Sequence, residues 1–189
     1  GYELVRSPSN VLFQKTYGVA QLPLALTAAP IALILMLLIY NFVLSRFGAR
    51  RTLALTICLS GVVLYLCHLG ILQGIQPAAA VLFVFGQCYV VLLAEQLWSY
   101  LDSVQTEAEA KLWSPIYSGI AGLGAISGGF FVAQFARRLG TEYLVAVSAL
   151  LLLPAAGLGL LGYRFLGEPR GEKLSNEKPL RSGISDLLG

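Results

Sequence analysis

Charge is scarce in this sequence: Asp, Glu, Lys and Arg together make up 12% of its 189 residues, about half the share found in an ordinary soluble domain. The scarcity is concentrated. No charged residue occurs from Thr16 to Ser45, from Thr52 to Ala94, from Leu112 to Ala136, or from Tyr143 to Tyr163. A water-soluble core would break such runs with exposed charges every turn or two of helix, so a soluble fold is excluded and lipid is the expected solvent. Catalytic signatures are lacking as well. There is no Walker-type phosphate loop, no HExxH, no Cys-rich metal set and no Ser, His and Asp constellation, so neither an enzyme nor a bound cofactor or metal is expected. The three cysteines, Cys58, Cys67 and Cys88, have no paired spacing and read as small core residues. Nothing before residue 20 joins a basic start, a short apolar core and a cleavage site, so no secretory signal is expected.

What is present is apolar length, since 57% of the residues are hydrophobic. Each uncharged run exceeds the roughly 18 to 20 residues that cross a hydrocarbon core about 30 Å thick. The second run is long enough for two crossings. His68, Gly70, Gln73, Gly74, Gln76 and Pro77 divide it into a helical hairpin. The expected fold is therefore all-α, a polytopic membrane helical bundle, with full spans at about 22–44, 53–72, 78–97, 116–135 and 144–163. Backbone groups in lipid must be satisfied within the segment, which makes these spans helices, and the alternation of barrel strands is missing.

Residues 1–14 read as the end of a helix already under way, so the chain is expected to be a fragment whose first helix is truncated. The membrane domain then covers residues 1–166. Residues 167–189, rich in Gly, Ser, Pro, Lys and Glu, read as a solvated cytoplasmic tail or interdomain linker. Between them, the charged stretch Asp102 to Lys111 suggests a short helix opened by a Thr106 and Glu109 capping box.

Orientation follows from Lys and Arg in the loops. Arg46, Arg50, Arg51, Lys111, Arg164, Arg170, Lys173, Lys178 and Arg181 fall on one side; Lys15, Arg137 and Arg138 fall on the other. The first side is expected to be cytoplasmic, in a bacterial inner membrane. The net charge of +3 is explained by this asymmetry and requires no nucleic-acid partner. Seven aromatic residues (Tyr2, Tyr17, Tyr40, Tyr89, Tyr100, Tyr117 and Trp98) are expected to mark helix ends as an interfacial belt.

Three ionisable residues lie within the expected spans: Glu3 and Arg6 on the helix-1 stump and Glu95 near the end of the fourth helix. Charge at membrane depth faces protein or a water-filled cavity. Glu3 and Arg6, three apart, share a helix face. One reading makes Arg6, Glu3, Asn10, Glu95 and Gln96 cavity residues for a small-molecule substrate. The other lets Glu3 and Arg6 neutralise each other while Glu95 snorkels beside Trp98. His68 is expected at the interface beside the polar hairpin. In the fifth helix Gly119, Gly122, Gly124, Gly128 and Gly129 form a small-residue face suited to close helix packing.

The segment from Asn41 to Arg51 resembles the loop between helices 2 and 3 of major facilitator transporters, GxxxDRxGRR, with Arg46, Gly48 and Arg50 in matching positions and Arg51 completing the basic turn. Asn41 and Ser45 stand where that pattern has Gly and Asp. With residues 1–14 counted, the chain has six helices, the number in one half of such a transporter. A second six-helix half would then follow the polar linker, and the two would work by alternating access. Gly124 to Gly129 resembles the end of the helix-5 motif of antiporters, with Ala125 in place of Pro, although plain packing explains these residues too.

Across most of its length the chain further resembles the bacterial and plastid nucleotide translocases. Tyr2, Val5-Arg6, Leu12, Gly18 to Pro23 and Pro30 carry the likeness early. Trp98, Glu109-Ala110-Lys111, Pro115, Gly119, Gly122 and Ser127-Gly128 carry it later. That resemblance implies ATP/ADP-type exchange with Arg6 as an anion contact. The family's helix-1 Lys-Asp pair and helix-2 Lys are replaced by Ser9, Asn10 and Leu26, which leaves another organic anion, an unrelated small solute or drug, and a non-transporting scaffold or sensor as alternatives.

Overall fold

The computed structural model describes residues 2–166. They form six α-helices: α1 (Tyr2–Tyr17), α2 (Leu22–Phe47), α3 (Ala49–Leu72), α4 (Gln76–Val104), α5 (Glu107–Leu139) and α6 (Thr141–Leu166), with a single turn of 3-10 helix at Val19–Gln21. Five of them, all but α1, are long and apolar enough to cross a membrane. The chain is an integral, multi-pass membrane protein. The expected polar segment 167–189, with Arg170, Lys173, Lys178 and Arg181, lies outside the described residues.

Two of the connections are single residues. A single residue, Gly48, separates α2 from α3, with φ 78° and ψ 164°, a conformation open in practice only to glycine. Its N–H returns to the Leu44 carbonyl, and its own carbonyl accepts from both the Thr52 backbone N–H and the Thr52 hydroxyl. Gly140, φ 90°, performs the same reversal between α5 and α6. Pro23 and Pro77 sit in the first turns of α2 and α4, where a missing N–H costs nothing.

Two helices outrun their expected spans. α4 continues to Val104 and α5 begins at Glu107, leaving only Gln105 and Thr106 between them. The expected capping box is present: Glu109 N–H donates to Thr106 Oγ1, and Thr106 N–H donates to the Glu109 carboxylate. It opens α5 itself rather than a separate short helix. Charged residues stop a hydrocarbon span, but they do not stop a helix that emerges into water.

The helices form two layers. α2, α4, α1 and α5 stand in a row, each touching the next. α3 and α6 pack behind them, mainly against each other, with α3 also against α4 and α2 and α6 against α1 and α5. The core lies where the layers meet: Val5 and Leu12 from α1, Leu64 and Cys67 from α3, Leu82 and Tyr89 from α4, Val145 and Ala149 from α6. Leu4, Val132 and Leu144 tie α1, α5 and α6 in a smaller cluster. α2 has no buried residue, and among the described residues of α5 only Val132 is buried.

Lipid tails give helices little hydrophobic reason to associate, so packing rests on close backbone approach at small residues. Gly70, Gly86 and Gly159 supply it. A Cβ on Gly70 would stand 2.8 Å from Ala78 Cβ, one on Gly86 3.2 Å from Val5 Cγ1, and one on Gly159 2.9 Å from Leu53 Cδ2. The expected packing face on α5 behaves differently. Nothing lies within 4 Å of a Cβ built on Gly119, Gly122, Gly124 or Gly129, and only Gly128 has a neighbour, Glu3 Cβ at 3.7 Å. The reason is position: α5 ends the row and packs mainly against α1 and α6.

Because α3 alone separates the α2–α3 turn from the α3–α4 turn, the two should face opposite sides of the bilayer. In a cysteine-free background, Ser45→Cys and Gln73→Cys are expected to react with a membrane-impermeant maleimide from opposite faces of sealed, oriented vesicles. Labelling of both from one face would remove α3 from the list of crossings.

Candidate functional site

α1 divides cleanly. Leu4, Val5, Pro8, Ser9, Leu12 and Phe13 are buried. Tyr2, Arg6 and Gln14 are exposed, and Glu3, Ser7 and Asn10 are half-buried between them. Tyr2, Arg6, Asn10 and Gln14 recur every fourth residue, so they run as one stripe along the helix. Its uncovered side, Val11 apart, is therefore polar and carries both signs of charge.

Within the stripe the groups are tied locally. Arg6 Nη1 donates to Glu3 Oε1 at 3.3 Å, and the Arg6 guanidinium lies 5.6 Å from the centre of the Tyr2 ring. Asn10 Nδ2 and Ser9 Oγ both donate to the Arg6 carbonyl at 2.9 Å. The two charged side chains differ in accessibility, 51% for Arg6 against 26% for Glu3. The guanidinium therefore keeps most of its donors free for a further acceptor.

The stripe starts deep and runs outward. Glu3 Cβ faces Gly128 of α5, about 10 Å inside the end of the apolar span at Phe135. From there α1 climbs toward the α5–α6 turn, where Lys15 meets Glu142. On α4 the matching level runs from Gly86, which meets Val5 and Ser9, to Tyr89, within electrostatic range of Tyr2.

The structure does not bring Glu95 and Gln96 to this stripe. Glu95 is nine residues beyond Gly86, about 14 Å further along α4. It is exposed and lies within electrostatic range of Tyr40 on α2. Gln96 is turned inward, 5% exposed, and its amide has no hydrogen-bond partner among the described residues. One turn on, Tyr100 Oη donates to the Gly162 carbonyl of α6 at 3.1 Å, so this face of α4 looks into the bundle. Gln96 thus lies away from the uncovered side, where the expectation had placed it beside Glu95. Successive residues on a helix point about 100° apart.

Other expected features fall elsewhere. Arg46, Arg50 and Arg51 are exposed around the α2–α3 turn; Arg46, in the last turn of α2, complements the negative end of the helix dipole. His68, one turn from the end of α3, points into the bundle: it is 5% exposed, and its Nδ1 is 2.8 Å from the Glu142 carbonyl. It links α3 to the start of α6, while the Glu142 carboxylate reaches Lys15 of α1 at 3.8 Å. Tyr89 and Tyr100 are buried and so do not belong to an interfacial belt. Cys67 and Cys88 are buried, whereas Cys58 is exposed.

The larger groove, 310 Å³ between α3 and α6, is lined by apolar residues such as Ile57, Leu66, Leu152 and Leu153 with no charged group. It is a lipid-facing crevice rather than a polar site. No group of His, Cys, Asp and Glu among the described residues is arranged to hold a metal ion. Sequence reasoning missed the ties across the bundle: His68 to Glu142, Lys15 to Glu142, and the Cys88 thiol to the Ala29 carbonyl. No local pattern announces a contact between residues so far apart in the chain.

Comparison of the chain with protein-family models, with curated proteins and with solved structures finds no match.

Proposed function

We propose that this chain is one half of a secondary transporter that works by alternating access, with the α1 stripe on the wall of its central cavity. The observation that supports this reading is the exposure of Arg6 beside Glu3 within the hydrocarbon span, on a stripe that Tyr2, Asn10 and Gln14 continue. Lipid is a costly neighbour for an arginine, about 2.5 to 3.5 kcal/mol at the bilayer centre on insertion scales. Water or a second protein body is the cheaper one. α1 stands inside the row α2, α4, α1, α5, so a second helical body closing over that row would enclose the stripe.

In this reading the half is of major facilitator type, and the second half carries six further helices. The Arg46 to Arg51 turn and the end of α6 are cytoplasmic, in a bacterial inner membrane. The cargo is an organic anion held by Arg6, with nucleotides of the ATP/ADP kind as the first to try. An unrelated solute, a drug, or a sensing role without transport is the competing reading.

The test is uptake by the full-length protein in proteoliposomes, with labelled nucleotides and a panel of organic anions, with and without internal unlabelled cargo. Exchange that needs internal cargo is expected. Uptake of other anions but not nucleotides would reject the nucleotide assignment, and no uptake of any solute by folded protein would reject transport.

A further inference from the structure

A second, smaller cavity lies at the opposite end of α4 from the α3–α4 turn. It measures 280 Å³ and is walled by the end of α4 and the start of α5: Trp98, Asp102, Gln105, Lys111, Ser114 and Tyr117, with Leu101 and Ala110. The transport reading does not use it, although Trp98, Ala110 and Lys111 of its wall carry part of the resemblance to the nucleotide translocases.

Its depth is set by the two helices that outrun their spans. α5 is 33 residues long, about 50 Å at 1.5 Å per residue and well beyond the roughly 30 Å of hydrocarbon. With the apolar stretch beginning at Ile116, Lys111 stands about 7 Å outside the boundary. A headgroup layer is about 5 to 8 Å thick on each side. Trp98, Ser114 and Tyr117 sit at the boundary itself, and Asp102 and Gln105 stand beyond it with Lys111. The cavity straddles the level at which a phospholipid changes from glycerol to headgroup.

The chemistry of its wall is equally specific. Lys111 is exposed and has no ion-pair partner among the described residues. Gln105 Nε2 donates to Tyr117 Oη at 2.7 Å, which leaves the Tyr117 hydroxyl proton free to donate outward. A cation and a phenol donor together suit a phosphate oxygen. Asp102, on the same wall, already takes part in an interaction of its own, but a carboxylate has about four acceptor sites and can receive a further N–H. A headgroup that carries a phosphate and a primary ammonium would satisfy both walls, while the indole of Trp98 and Leu101 take the apolar glycerol end.

We infer that the α4–α5 end of the bundle holds a phospholipid with a phosphoethanolamine headgroup, its phosphate on Lys111 and Tyr117 and its ammonium on Asp102. The inference needs membrane embedding but not transport.

The test is native mass spectrometry of the delipidated full-length protein with added phosphatidylethanolamine, phosphatidylglycerol or phosphatidylcholine. Phosphatidylethanolamine is expected to occupy one retained site and to outcompete the other two. Lys111→Gln should lower its occupancy about fivefold, the weight of one basic residue at a membrane surface; Lys111→Arg should keep it. Asp102→Asn should lower phosphatidylethanolamine binding while leaving or raising phosphatidylglycerol. Arg50→Gln, at an exposed cation outside the cavity, should change nothing, and thermal melting of each variant reports folding. Equal binding of the three lipids, or wild-type binding by Lys111→Gln, would overturn the inference. Displacement by soluble phosphoethanolamine at equal concentration would overturn the lipid as the source.

Discussion

Gly70→Leu is expected to be the most damaging single substitution in the bundle, lowering stability by about 3 kcal/mol or more, because overpacking costs of 1 to 3 kcal/mol already attend far smaller additions. Gly70 is buried in α3, and its missing Cβ is the space into which Ala78 of α4 fits: a Cβ there would be 2.8 Å from Ala78 Cβ and 4.0 Å from Ile75 Cβ. Neither neighbour can swing aside, since both atoms are fixed to backbone at the start of α4. The hairpin must open, and it carries Leu64, Cys67 and Leu82 of the core with it. Gly157→Leu provides the contrast. Nothing lies within 4 Å of a Cβ built there, and replacing Gly by Leu inside a helix should recover several tenths of a kcal/mol. Thermal unfolding of the two variants in the same detergent, followed by loss of helical signal, reads the difference. Equal melting temperatures would mean that the α3–α4 approach does not limit stability.

The same pair of glycines shows what could and could not be read from the sequence. The five crossings were legible because hydrophobic length is a sum over twenty residues, which single substitutions barely change. The hairpin break was legible too, since Gln73, Gly74 and Pro77 concentrate turn chemistry in one place, and the structure ends α3 at Leu72 and starts α4 at Gln76. Which glycines pack was not legible. α5 has the densest glycine stripe, yet it stands at the end of the row, while Gly70, Gly86 and Gly159 take the close approaches. Packing depends on where a helix is placed in the bundle, which no pattern within that helix encodes. The same limit applies to Glu95 and Gln96. Adjacent in sequence, they were grouped by chemistry, and the helix turned one outward and the other into the core. On α1 the reading fared better, because three-residue spacing alone places Glu3 beside Arg6.

That pair gives the second large effect. In the transport reading, Arg6→Ala should cut uptake of the anionic cargo by roughly ten- to a hundredfold, the weight of one or two charge-assisted hydrogen bonds. Arg6→Lys should recover only part, since an ammonium keeps the charge without the planar fork. Arg138→Ala, on an exposed residue near the end of α5, should leave uptake unchanged. Glu3→Gln decides between the two roles for the pair, because they predict opposite signs. If Glu3 only neutralises Arg6, removing its charge leaves a lone cation within the hydrocarbon span, and both stability and uptake fall. If Arg6 is a cargo contact, Glu3 is a competitor for the same guanidinium, 3.3 Å from it. Its loss should then lower KM for the anion severalfold with kcat little changed, the pattern of binding strengthened equally in the ground and transition states. A fall in KM with an unaltered melting temperature would tie Arg6 to the cargo. A fall in melting temperature with no gain in affinity would return the pair to a structural role.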